Sequence, residues 1–188
     1  MRIFTKVVSM ILIASISLGM VACSDSGSKK KDKKDREKKE KTKVEEWSID
    51  DFEDFLDDYT DGDYFDRDYD NCYGLLSDSG DVVINYRWYD DEDDAEDYFD
   101  VAYSGFEEDF DDDLFDGKHD MKRSGSQGYV VLAGEGEDDG SWIYEDQYFY
   151  GGVYYADHMV VTIITTRDKD KAREHVDEVL KELNFPRP

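Results

Sequence analysis

The sequence predicts an α+β fold, an antiparallel sheet of about five to six strands carrying three helices in the order α-β-α-β-β-β-β-α. Three observations point to it. Apolar residues recur at three- and four-residue spacing in three segments, the helical period. Elsewhere they alternate at period two, the strand period. The links between the later alternating segments are short and rich in Gly, Asp and Ser, which makes consecutive strands antiparallel neighbours and places the helices on one face of their sheet. A chain of 188 residues, 39% hydrophobic and 14% aromatic, supports one ordinary core and therefore one domain.

The first helix begins at Trp47-Ser48-Ile49-Asp50-Asp51-Phe52. Ser48 can cap it, Asp51 stands three residues on as in a capping box, and Trp47 can staple onto Phe52. Phe52, Phe55, Leu56 and Tyr59 then share one face, with Asp54, Asp57 and Asp58 off it; Asp61-Gly62-Asp63 ends the helix. Val82, Ile84, Tyr86 and Trp88 alternate with Val83, Asn85, Arg87 and Tyr89 as a strand. The second helix spans about residues 91–110, with a stripe of Ala95, Tyr98, Phe99, Ala102, Phe106 and Phe110 and acids crowding its N-terminal turn, where the helix dipole favours them.

From Lys118 the pattern is that of strands, near residues 119–122, 129–133, 142–150, 153–156 and 159–166. Gly151-Gly152 reads as a turn or a bulge. Residues 160–164 are apolar on both parities, which marks a central strand covered on at least part of both faces. The last helix opens at 167–168, buries Ala172, Val176, Val179, Leu180 and Leu183, and stops at Asn184 before Pro186.

Charge divides the chain. Residues 29–43, KKKDKKDREKKEKTK, hold ten Lys or Arg against four acids, a local charge of +6; residues 44–188 hold eleven against 44, a charge of −33. Only the second part has the aromatic and β-branched residues to fold. Its acidity excludes nucleic acid, whose phosphates require clustered positive charge, and favours a cationic protein or peptide.

Ahead of the basic run, Arg2 and Lys6 precede an uncharged stretch from Val7 to Met20. Fourteen residues are too few to span a hydrocarbon core of about 30 Å comfortably, and a basic start, an apolar run of this length and small residues after it describe a signal peptide. Met20-Val21-Ala22-Cys23 resembles the lipobox of bacterial lipoproteins, with Met where that family usually has Leu. The resemblance covers the first 23 residues. It implies cleavage before Cys23, lipid on the Cys23 sulfur, and a protein held by its acyl chains to the extracytoplasmic face of the cell membrane. The expected organisation is a signal peptide at 1–22, the lipidated cysteine with a disordered basic linker at 23–43, and an acidic domain at 44–188. The linker's charge would lie beside anionic headgroups or wall polymers, or serve only as a solubilising spacer.

Several constellations bear on chemistry. Glu135, Glu137, Asp139 and Asp146, with Gly140, fall at the spacing of an EF-hand loop, but between strands, where a hairpin turn is the simpler reading. Asp57, Asp61, Gly62 and Asp68 form a poorer version. His119, His158 and His175 sit in no catalytic motif, no residue is singled out as catalytic, and no cofactor is implied. Cys72 would be the one thiol left after acylation, suited to burial at a strand or to an intermolecular disulfide. Trp142, Tyr144, Tyr148 and Tyr150 share one parity of the strand expected at 142–150, an aromatic face that either stacks on a surface glycan or peptide or lies beneath the helices. The function expected is therefore non-enzymatic binding by a membrane-anchored domain, with glycan or peptide recognition on the aromatic face, or a small carboxylate-dependent hydrolase, as alternatives.

Overall fold

The structure, a computed structural model, describes residues 43–60 and 62–188. The expected leader, Cys23 and the linker through residue 42 lie outside the described residues, as does Asp61. The elements in order are α1 (Ile49–Thr60), β1 (Phe65–Asp68), β2 (Cys72–Asp78), β3 (Val83–Tyr89), α2 (Glu92–Asp111), β4 (Phe115–Arg123), β5 (Gln127–Gly136), β6 (Tyr148–Ala156), β7 (Met159–Thr165) and α3 (Asp170–Glu182). The class is α+β, as the sequence predicts. The sheet is larger than expected, with seven antiparallel strands in the order β1-β2-β3-β7-β6-β5-β4.

The starts of α1 and α2 follow their local chemistry, whereas α3 begins at Asp170, later than the 167–168 expected, with Lys169 at its cap and no side-chain cap hydrogen bond. Ser48 Oγ accepts the Asp51 N–H at 3.3 Å and donates to Asp51 Oδ2 at 2.7 Å, while the Trp47 and Phe52 rings meet edge to face at 6.5 Å. Asp91 caps α2 by accepting the Asp93 N–H at 3.0 Å. At the end of α3, Asn184 turns left-handed with φ 56°, and the Phe185 N–H reaches back to the Leu180 carbonyl at 2.8 Å, the backbone reversal that closes many helices.

The helices lie on both faces of the sheet, not one. On the first face Phe52 and Leu56 of α1 and Val176, Val179 and Leu180 of α3 pack on Leu75, Ile84, Tyr86, Tyr154, Val161 and Ile163. Phe52 stacks on Tyr86 with ring centres 4.3 Å apart. On the opposite face Ala95, Phe99 and Phe106 of α2 pack on Val130, Leu132, Val153, Tyr155 and Val160. The reason is visible in β7. Met159, Val161 and Ile163 face one way and Val160 the other, all buried, and a central strand apolar on both parities needs cover on both sides.

Two strands, β1 and β2, stand where the sequence pattern predicts none. Every residue of β1 is exposed, so an edge strand of Phe-Asp-Arg-Asp has no apolar alternation to reveal it. In β2 the period is broken by Gly74, which takes a buried slot without a side chain. The Gly151-Gly152 pair is neither a turn nor a bulge: β6 runs through it without interruption, paired to β5 and β7. Gly151 has φ 136°, and a Cβ there would stand 2.1 Å from the Ile163 carbonyl oxygen. Glycine here admits the neighbouring strand.

Candidate functional site

The four aromatic residues singled out by parity do not form one face. Residues 142–147 are not a strand, and β6 starts only at Tyr148. The cause is Asp109, a fully enclosed carboxylate near the end of α2. Its Oδ1 accepts the Ser141 N–H at 2.7 Å and its Oδ2 the N–H groups of Trp142 and Ile143 at 2.6 and 2.9 Å. These donors would otherwise serve a sheet ladder; bound to a charged acceptor they hold the segment over α2 instead. Trp142 lies against Gly105 and 5.4 Å from the Phe106 ring, and Tyr144 joins the same cluster. Tyr148 and Tyr150 project from the other face of the sheet onto α3, where Tyr148 Oη accepts from Arg173 at 3.1 Å and Tyr150 Oη donates to Asp177 at 3.0 Å.

Among the described residues no three His, Cys, Asp or Glu side chains converge on a point that could hold a metal ion. Glu135, Glu137, Asp139 and Asp146 are not gathered: Asp139 accepts the Glu145 N–H at 3.2 Å, and Asp146 sits at φ 58° where its N–H returns to the Gly136 carbonyl. Asp139 and Asp146 shape the loop between β5 and β6, while Glu135 lies within β5 opposite Tyr148. His119 stacks on Phe110 at 3.9 Å and His158 on Trp88 at 5.1 Å. Cys72 is a buried thiol at the start of β2, its pKa raised first by burial.

The side chains that do converge with chemical sense line a groove of about 480 Å³ between α1 and α3. Trp47, Phe55 and Tyr59 form its aromatic wall, Trp47 and Phe55 meeting at 6.2 Å and Phe55 lying nearly parallel to Tyr59 at 5.6 Å. Asp51, Asp54 and Asp58 follow one edge of α1, and Glu178 and Glu182 stand one turn apart on α3. Every charged side chain lining the groove is acidic. The helical stripe read from the sequence splits here: Phe52 and Leu56 are wholly buried, whereas Phe55 and Tyr59 are half-buried and open to the groove. The Tyr59 hydroxyl, which donates to the His175 carbonyl at 3.4 Å, has its pKa raised first by burial and then by the charge of Glu178.

Ring faces beside carboxylates suit a lysine ammonium or an arginine guanidinium. Each ring contributes about 0.5–1 kcal/mol to an exposed cation and each exposed ion pair about 0.2–1 kcal/mol, so useful affinity requires several contacts at once. The sequence pointed elsewhere, to the aromatic residues at 142–150; the local signal for the groove is that Asp54 and Asp58 flank Phe55 and Tyr59 on the same turns, while the acids of α3 could not be placed against them without the fold. Comparison of the chain with models of protein families, with curated proteins and with solved structures finds no match.

Proposed function

We propose that this chain is a lipid-anchored binding protein of the extracytoplasmic membrane face, which holds a Lys- or Arg-rich peptide segment in the groove between α1 and α3 and catalyses no reaction. The anchor rests on the lipobox-like Met20-Val21-Ala22-Cys23. The binding reading rests on one observation, an aromatic wall whose charged neighbours, Asp51, Asp54, Asp58, Glu178 and Glu182, all carry one sign. The charge of −33 over residues 44–188 would steer a cationic partner toward it.

The test is titration of the full chain with a fluorescent oligoarginine peptide at rising salt. Affinity should fall about tenfold or more as the Debye length contracts from roughly 10 Å toward 3 Å, and Asp54→Lys with Asp58→Lys should weaken it at low salt. Affinity indifferent to both would remove the proposal. The anchor is tested separately by mass spectrometry of the membrane fraction, where a mature N-terminus other than an acylated Cys23 would refute it.

A further inference from the structure

We propose that the outer edge of β4 pairs with β4 of a second copy of this chain, antiparallel and centred on His119, so that two seven-stranded sheets join into one. This does not depend on the binding reading above.

β4 is an end strand of the sheet, and among the described residues nothing pairs with its outer side. Its hydrogen-bonding phase is fixed at both ends. The Ser124 N–H donates to the Gln127 carbonyl at 2.8 Å and the Glu137 N–H to the Leu114 carbonyl at 2.9 Å. Even-numbered positions therefore bond inward to β5, in the register that pairs Asp120 with Val131. By the alternation of an antiparallel ladder, Phe115, Gly117, His119, Met121 and Arg123 direct both N–H and C=O outward. Such an edge is a template for another strand.

The side chains name the occupant. Asp116, Lys118, Asp120 and Lys122 share one face of β4 and are all exposed. Acid and base thus alternate every second residue along the edge. Antiparallel pairing about a two-fold axis at residue 119 sets Asp116 opposite Lys122 and Lys118 opposite Asp120. These fall at the non-hydrogen-bonded positions, where Cα atoms approach to about 4.5 Å and side chains are closest. Moving the axis one residue, to 118 or 120, puts Lys against Lys and Asp against Asp, which is destabilising. Axes at 117 or 121 also set Asp against Lys, but with two such contacts where the axis at 119 makes four, so the charge pattern favours the register centred on 119 as well as a partner.

Lysines on an edge strand commonly repel partners, but a strand whose charges are complementary to their own reverse order admits itself. β4 holds three basic side chains against two acids, a local excess of +1 in a domain of −33. At physiological ionic strength charges beyond about 8 Å are screened, so the local pairs outweigh the repulsion of the two acidic bodies. Arg123 does not enter the count of pairs across the axis, because its guanidinium is held by Glu96 and Asp100 of its own α2.

The test is co-purification of two differently tagged copies of the full chain, expressed together and extracted in mild detergent. The unaltered copies should co-purify. Two copies of Lys118→Asp/Lys122→Asp should not, nor two copies of Asp116→Lys/Asp120→Lys, whereas one copy of each should, since an all-acidic edge then meets an all-basic one. All four positions are exposed, and circular dichroism checks that the variants fold. Unaltered copies that fail to co-purify, like-charged variants that still do, or a mixed pair that does not would each overturn the proposal.

Discussion

Gly140 stands so close to the carboxylate of Asp109 that a Cβ on it would lie 2.3 Å from Oδ1. The loop after β5 is folded around this acid, the one acidic side chain buried among the described residues. Asp109→Asn turns an amide N–H₂ toward at least one of three backbone donors and should cost about 2–3 kcal/mol, read as a lower urea midpoint at unchanged slope. Asp109→Ala should cost more. Gly140→Ala should destabilise through the clash alone, leaving the carboxylate intact. An Asp109→Asn protein as stable as the parent would show that the loop is held by Trp142 packing instead.

In α1, binding and stability should move in opposite directions. Its last turn carries Asp57 and Asp58 and no base, contrary to what the helix dipole favours. Asp58→Lys should raise stability by about 0.3–1 kcal/mol while weakening oligoarginine binding, because Asp58 lines the groove. Asp57 does not line it, so Asp57→Lys should give the same stabilisation with a smaller loss of affinity. Equal losses from the two variants would assign the attraction to overall charge.

Two glycines with positive φ separate backbone strain from crowding. At Gly125, φ 62°, an added methyl would meet nothing within 4 Å, whereas at Gly151, φ 136°, it would face the Ile163 carbonyl oxygen at 2.1 Å. Gly125→Ala should cost about 1–2 kcal/mol from φ alone. Gly151→Ala should exceed it, since β6 must be pushed from β7 in the middle of the sheet. Thermal unfolding of the two variants measures the difference, and equal costs would contradict this account of the Gly pair.

Alkaline pH should unfold the domain through its tyrosines. Burial, followed for Tyr150 by its hydrogen bond to Asp177, pushes the Tyr150 hydroxyl up to about 12; burial likewise brings Tyr155 to about 12. It raises Tyr86, Tyr89 and Tyr154 as well. The unfolded value is near 10, so between about 10 and 12 the folded state binds more protons than the unfolded one and stability must fall as pH rises. The tyrosines' contribution to stability should be intact below about pH 10, with loss setting in above it and tyrosinate absorbance rising together with loss of near-ultraviolet circular dichroism. Tyrosines that ionise near pH 10 in the folded protein would contradict the burial described.

The helices were legible because their signals are local. Ser48, Asp91 and Asn184 act within a few residues of their own position, and the stripes at Phe52–Leu56 and Ala172–Leu180 repeat at the helical period. β3 was legible from alternation along its own residues and β7 from a run apolar on both parities, signals that are equally local. β1 escaped because an exposed edge strand carries no apolar period. β6 begins later than its aromatic alternation predicts because Asp109, more than thirty residues upstream, captures the N–H groups of residues 141–143. The candidate site was not read from the sequence, which pointed to the aromatic residues at 142–150: Phe55, Tyr59 and three acids share α1, but Trp47 precedes that helix and Glu178 and Glu182 are far away in the chain.

The sequence by itself determined the α+β class, the three helices with the cap at Ser48 and the stop at Asn184, and the separation of a basic segment from an acidic one, since each follows from composition or from neighbours along the chain. Only the tertiary structure decided that helices cover both faces of the sheet, that the aromatic residues at 142–150 divide between those faces, and that α1 and α3 close an acidic groove. Those outcomes turn on long-range burial and on where one carboxylate meets distant backbone donors, and no periodicity along the chain encodes them.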